Sequence, residues 1–359
     1  MSVAPAISIV MATYNGAVLL PETLASLQAQ TCPDWELVAV DDGSQDDTVA
    51  VLRGVRDPRI RVIESAVNGG PVVARNRAFA EARGRYIAGL DQDDLTLPDR
   101  FARQLAWLEA NPGTVLVSTA TDCLTDGKLR PGQWPRPLTA GLIDWLMLVQ
   151  NPLVWSSVLF RADAARKLEP FERPECRYVE DFDLYHRLRA FGRIEQIDTV
   201  LTQYRIHAGG ASQRFNGTMT AHAEALLRER HAALLGAHAP DIAPLLVRYV
   251  MAKAPIGDRA ELRRLFEGIA VLRAHFAAQG RDAETLALVD REISRLWWRL
   301  CRAGVRSGRL PLRHAVGVRP AEAALTHAPA ADLVASSVIG AVRALRRGPQ
   351  RASAGLREA

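Results

Sequence analysis

Three carboxylates crowd four positions in "YIAGLDQDDLTLP", residues 86–98, directly behind an apolar run. No Lys or Arg lies between Arg85 and Arg100 to balance Asp91, Asp93 and Asp94. On an extended backbone Asp91 and Asp93 project to the same side, because side chains alternate with period two. Two carboxylates so placed in a crevice repel by on the order of several kcal/mol. Relief comes from a proton on one of them or from a cation beside them. Oxygen donors with open positions suit Mg2+ or Mn2+, which keep waters and bind phosphates. The plainer alternative is that Asp93 or Asp94 caps a helix opening near Pro98.

Two neighbouring groups bear on the choice. Asp41-Asp42-Gly43-Ser44 closes another apolar run, where a carboxylate can accept hydrogen bonds from a base or a ribose. Gly43 and Ser44 themselves read as an Asp-Gly turn with a cap. Asn68-Gly69-Gly70-Pro71 precedes a helical segment carrying Arg75, and a helix N-terminus beside a guanidinium favours phosphate. That stretch is neither a P-loop nor G-x-G-x-x-G, and Arg75, Asn76 and Arg77 read equally as a solvated helix face.

These residues need a scaffold, and the pattern supplies one. Apolar runs at 7–11, 36–40, 60–63 and 85–90 alternate with helical spacing at 18–28, 48–53 and 72–82. This predicts an α/β fold with a Rossmann-like, mostly parallel sheet flanked by helices. Ligands collect at the carboxyl ends of such strands, so Asn15, Asp41, Asp42, Asp91 and Asp93 are expected in one crevice. Helices at 98–109, 141–149 and 181–191 and strands at 115–118, 157–160 and 197–204 follow. After about residue 215 the spacing turns helical, over 219–235, 242–253, 259–279 and 283–302. The expected division is a domain at 1–214, a C-terminal helical region at 215–302 and an Arg-rich tail at 303–359.

At this point the residues carry a resemblance. "ISIVMATYNG", "WELVAVDDGSQDDT", "NGGPVVARNRAFAEARGRYIAGLDQDD", "YVEDFDLYHRL" and "YRIHAGGAS" occur in this order over about residues 6–212. Together they resemble the family 2 glycosyltransferases of the GT-A fold. The resemblance implies an inverting transfer of sugar from a nucleoside-diphosphate-sugar to an acceptor hydroxyl, helped by Mg2+ or Mn2+. It implies that Thr13 and Tyr14 flank the nucleotide base and that Asp42 binds it, with Asp41 assisting. Arg75 then lies near the nucleotide and phosphates, Asp91 nearer the ribose, and Asp93 on the metal. Asp94 is structural. Asp181, in Glu180-Asp181, takes the place of the catalytic base, and His207 lies near the diphosphate or metal. Adjacent residues at a helix start point in different directions, so only one of Glu180 and Asp181 can face an acceptor.

Bulk properties narrow the rest. The chain has 359 residues, a mild net charge of +5 and only three Lys (Lys128, Lys167, Lys253), so Arg carries the excess. Cys32, Cys123, Cys176 and Cys301 are far apart with no CxxC, which argues against zinc and a disulfide framework. The N-terminus shows no basic region followed by a signal-peptide core, and no run approaches the roughly 20 apolar residues of a spanning helix. A cytoplasmic protein is expected, or one peripheral to the cytoplasmic face of the membrane. Near the end of the helical region, Trp297 and Trp298 stand among Arg295, Arg299, Arg302 and Arg306. Such a helix either lies on anionic lipid or packs its Trp against the catalytic domain or in a homo-oligomer. No module for nucleic acid accompanies the Arg. Saccharide, lipid-linked and protein acceptors all remain open, with acceptor contacts expected from loops such as 121–137. The competing functions are a sugar nucleotidyltransferase and a non-catalytic nucleotide-sugar-binding scaffold. The first would show an N-terminal Gly-rich loop with a basic residue where this chain has "MATYNG".

Overall fold

The computed structural model describes residues 4–132, 134, 136–210, 216–321 and 330–347. Early Val- and Ile-rich runs pair into the parallel half of one sheet: β1 (Ile7–Thr13), β2 (Trp35–Asp41), β3 (Ile60–Glu64) and β4 (Tyr86–Gly89). All residues of β2 and β4 are buried, which is why they read as continuous apolar runs without alternation. Register places Thr13 of β1 opposite Asp41 of β2, so both strands deliver their last residues to the same edge.

The later strands are β5 (Leu95–Thr96), β6 (Thr114–Thr125), β7 (Lys128–Pro131), β8 (Leu159–Arg161) and β9 (Arg193–Ile206). Among the described residues the sheet runs β3-β2-β1-β4-β8-β6-β9-β5, with β7 paired to β6. β6 and β9 are parallel, whereas β8 runs against β4 and β6, and β5 runs against β9. The sheet is therefore mixed beyond β4. The β6–β7 hairpin turns at Asp126-Gly127, with φ of 50° and 71°, the left-handed pair that a two-residue hairpin requires.

Helices α1 (Leu20–Gln28), α2 (Thr48–Gly54), α3 (Pro71–Glu81), α4 (Arg100–Ala110), α5 (Ala140–Leu146), α6 (Ala162–Ala165) and α7 (Glu180–Leu188) belong with this sheet. Leu20, Leu24 and Leu27 of α1 and Phe101 and Leu108 of α4 close over Ile7, Ile9, Met11, Leu37 and Ala39 to form its core. Burial of such side chains is the main favourable term holding the strand ends in place.

The chain divides into two compact units, one of residues 1–147 and 151–226, the other of 148–150 and 227 onward. The second is helical, with Arg259–Ala278, Ala283–Arg306 and Ala330–Arg347 as its longest segments; the stretch expected at 242–253 is a short helix, Ala243–Leu245, continued as a π-helix over Leu246–Met251. Trp297 is fully buried and donates from Nε1 to the Val318 carbonyl at 3.0 Å, while Trp298 meets it edge-on at 5.1 Å. Both rings thus pack inside the helical unit. Among the described residues no helix is long and apolar enough to cross a membrane. Residues 133 and 135 of the loop at 121–137, residues 211–212 of "YRIHAGGAS", and residues 322–329 and 348–359 of the tail lie outside the described residues.

Candidate active site

The strand ends converge as the alternation predicts. Thr13 Oγ1 donates to Asp41 Oδ1 at 3.1 Å, and Ser44 reaches the same carboxylate through its backbone N–H at 2.9 Å and its hydroxyl at 2.5 Å. Asn15, at φ 47°, donates its N–H to the Ser44 hydroxyl at 2.9 Å and accepts Gln45 N–H on its side-chain oxygen at 2.8 Å. The loops after β1 and β2 are therefore zipped together, with Asp41 buried at the seam. Asp42 is equally committed. Its Oδ1 accepts from Gly69 N–H at 2.8 Å and its Oδ2 from Gly70 N–H at 2.7 Å. Gly70 sits at φ 89°, a conformation that side chains rarely adopt, directly before α3. The glycine stretch that could have offered its amides to phosphate offers two of them to Asp42 instead.

The D-x-D segment departs from the expected geometry. It is a turn, closed by Asp94 N–H on the Asp91 carbonyl at 3.4 Å, so Asp91 and Asp93 do not lie along one strand face. Asp91 faces Arg75, with Oδ1 3.6 Å from Nη1, and Asp93 faces His207, with Oδ2 2.7 Å from Nε2. Asp94 does not cap α4: it is fully buried and accepts Arg205 N–H at 2.8 Å. The same Arg205 donates from Nε to the Asp93 carbonyl at 2.8 Å and pairs with Glu22 at 2.6 Å. The intervening Gln92 grips the loop after β1, accepting Tyr14 N–H at 2.9 Å and donating to the Tyr14 carbonyl at 3.1 Å. Arg205→Ala is expected to destabilise the protein by about 1–2 kcal/mol through the lost charge-assisted bonds, read from urea unfolding.

Arg75 is the largest surprise. Its guanidinium is buried, shares Nε between both oxygens of Glu172 at 2.9 and 3.0 Å, and pairs through Nη2 with Glu180. Asp181, next along α7, turns elsewhere: Asn151 donates to its Oδ2 at 2.8 Å and Phe182 N–H to its Oδ1 at 2.7 Å. The adjacent acids thus point in different directions, and Asp181 stands in the first turn of α7 without capping it.

Several acids on one guanidinium raise one another. Desolvation, opposed by Arg75 and reinforced by Asp93 and Asp181, pushes the Asp91 carboxyl up to about 7. Glu172 is likewise pushed up to about 7, by burial first and by Asp181 and Asp91 further, against the pull of Arg75. Burial also raises Asp181, against the Phe182 N–H, Arg75 and Asn151. Asp94 is driven well above the usual range by burial, with Asp93 and Asp91 adding to it. A carboxyl raised from 4.5 to about 7 on folding, as Glu172 is, contributes stability that is complete below its unfolded value and lost as pH rises through its folded one. The thermal midpoint of the metal-free protein is therefore expected to fall between about pH 4.5 and about pH 7, less steeply in Glu172→Gln.

Of the residues singled out by sequence, Thr13, Asp41 and Asp42 meet at the strand ends, Asp93 meets His207, and Asp91 meets Arg75. Tyr14 keeps its side chain 39% exposed at the rim. Gln92, Asn151, Glu172 and Arg205 went unnoticed. A D-x-D pattern leaves its middle residue free, and only Arg205 had a nearby signal, lying in "YRIH" beside His207.

Residues 8–169 match the model of glycosyl transferase family 2. These residues belong to that family. The fold is of GT-A type, with the mixed sheet and flanking helices described above and a helical region after it. Residues 1–349 of S. aureus TarS, solved in complex with UDP-GlcNAc, are similar at a TM-score of 0.52 and 16% identity, over 95% of this chain and 91% of that one. The mannosyltransferase PcManGT from Pyrobaculum calidifontis, solved with GDP-Man and Mn2+, is similar at 0.51 and 18%, over 97% and 89%. At these identities the likeness is one of fold. In sequence, this chain is 28% identical over 209 residues to WfaP of Escherichia coli, a UDP-Glc:alpha-D-GlcNAc-diphosphoundecaprenol beta-1,3-glucosyltransferase, over 57% of this chain and 79% of WfaP.

Proposed function

We propose that the protein is an inverting glycosyltransferase that moves a sugar from a nucleoside-diphosphate-sugar to an acceptor hydroxyl in surface glycan synthesis, with Mg2+ or Mn2+ at Asp93. One observation carries the reading: the acids fall into two groups on different segments, Asp93 against His207 on the D-x-D turn and Asp181 against Asn151 on α7. Displacement at an anomeric carbon needs this division. Negative charge grows on the leaving diphosphate, while a poor nucleophile must lose its proton on the opposite face of the sugar.

The donor set suits a small, hard cation. Among the described residues no three His, Cys, Asp or Glu side chains form a ready cage, so a bound ion would rest on Asp93 and His207 and complete its shell with phosphate oxygens and water. Such an ion supplies Lewis-acid stabilisation of the leaving group. PcManGT, solved with Mn2+, supports that choice. Tyr14 offers its exposed ring to the base, while Thr13, Asp41 and Asp42 hold the floor beneath it. Asp91 orients the ribose, and Arg75 acts on the donor through Asp91. Asp181 takes the acceptor proton, its raised carboxyl making it a better base than an ordinary aspartate. The activity of WfaP on a diphosphoundecaprenol-linked GlcNAc supports a lipid-linked acceptor met at the cytoplasmic membrane face.

Incubation with UDP-Glc, UDP-GlcNAc or GDP-Man, with phosphatase-coupled detection, tests this. The expected result is nucleoside diphosphate release that rises with a polyprenyl-diphosphate-saccharide acceptor and yields an inverted anomeric centre by NMR. Release of pyrophosphate from a sugar phosphate and a nucleoside triphosphate would establish a nucleotidyltransferase instead. Donor binding without release would establish a scaffold.

A further inference from the structure

Glu172 has no part in the reaction just described, yet it is a fully buried carboxyl whose surroundings are built in detail. Two residues of α3 hold it and a third holds its neighbour Phe171. Arg75 Nε takes both its carboxylate oxygens, and Asn76 clasps its backbone, donating to the Glu172 carbonyl and accepting the Glu172 N–H, both at 2.8 Å. One turn further, Phe79 stacks on Phe171 with centroids 4.0 Å apart. The segment is thus docked on α3 so that its carboxylate meets Arg75 side-on. The rest of the guanidinium then reaches Glu180, in the first turn of α7, and Asp91, in the D-x-D turn. One planar fork ties α3 to the D-x-D turn and to two carboxylates of the 172–180 stretch.

Stability alone does not explain the arrangement. A buried ion cluster often does no better than apolar side chains of the same volume. Here one guanidinium faces Glu172, Glu180 and Asp91, with Asp181 near enough to act on it. The Glu180 Oε2 and Tyr185 hydroxyl atoms are buried without partners beside it.

We infer that Glu172 is a positioning residue: it sets the rotation of the Arg75 fork, which in turn holds Glu180, and so its neighbour Asp181, at a fixed distance from Asp91 and the donor. This rests on the transferase reading above. Without Glu172 the fork is free to turn toward Asp91 and Glu180 alone, and α7's first turn loses its reference to the D-x-D turn. Lys in place of Arg75 keeps the charge but cannot span three carboxylates.

Two measurements on the full chain test it separately from that reading. In the first, Glu172→Gln is compared with wild type for turnover of UDP-Glc, UDP-GlcNAc and GDP-Man and for calorimetric affinity for UDP and GDP with Mn2+. The expected result is a kcat lower by about 10²-fold with nucleotide affinity within about threefold, the signature of misplaced reacting groups. A lower thermal midpoint with unchanged kcat would reduce Glu172 to a structural role and overturn the inference. In the second, crystal structures of wild type and Glu172→Gln are compared. Displacement of the Asp181 carboxylate relative to Asp91 supports positioning, and an unmoved Asp181 overturns it. Absence of wild-type turnover with every donor would count against the transferase reading, while the crystal pair would still decide the positioning. Should Glu172→Gln not fold, Asn76→Ala, which releases the Glu172 backbone without touching a residue of the donor site, carries the same expectations.

Discussion

Asp93→Ala is expected to remove Mn2+-dependent binding of UDP and GDP, lowering affinity by at least about 10²-fold and leaving only weak, metal-independent binding. Asp93 is where the turn, the sheet and a second donor meet. Its backbone carbonyl is fixed by Arg205 and its carboxylate lies 2.7 Å from His207 Nε2, so the side chain is aimed before any ligand arrives. Removing it leaves His207 alone against a cation that prefers oxygen. His207→Ala should cost less, about tenfold, since an imidazole that orients a carboxylate is the lesser part of the pair. Calorimetric titration of each variant with UDP and GDP, with and without Mn2+, measures both. Equal metal-dependent affinity in Asp93→Ala and wild type would remove the metal from this site.

The second large effect is catalytic. Asp181→Asn keeps the shape and a hydrogen-bonding oxygen for Asn151 Nδ2 but cannot take a proton. Transfer is expected to fall by about 10²–10⁴-fold while donor affinity stays within about threefold. Because burial raises the Asp181 carboxyl, the acid limb of the wild-type rate profile should lie above that of an ordinary aspartate. Stopped assays of nucleoside diphosphate release across pH give both numbers. Transfer by Asp181→Asn at the wild-type rate would assign the base elsewhere, Glu180 being the nearest candidate.

The contrast between residues found and residues missed follows from range. Thr13, Asp41, Asp91 and Asp93 could be placed because strand ends and their acids are local signals, and parallel βαβ units deliver them to one edge. The antiparallel pairing of β8 was not legible because short strands such as Leu159–Arg161 say little about direction. The D-x-D turn was misjudged as extended because its shape is set by partners far away, Arg205 and Ser156 among them. Arg75 was expected to serve phosphate, but its partner Glu172 lies 97 positions along the chain, a pairing that no local pattern reveals. Asp42 was similarly assigned to the base alone, and its hold on Gly69 and Gly70 required the loop after β3 to be in place. The Trp pair at 297 and 298 left lipid and packing both open, and the helical unit encloses it.

The division of labour between Asp93 and Asp181 can be seen directly by soaking crystals with Mn2+ and UDP-GlcNAc or GDP-Man and collecting at the manganese edge. An anomalous peak bonded to an Asp93 carboxylate oxygen and to the diphosphate is expected, with the Asp181 carboxylate on the far side of the sugar from the leaving phosphate. A nucleotide-bound crystal with no manganese at Asp93, or with Asp181 turned away from the sugar, would contradict it.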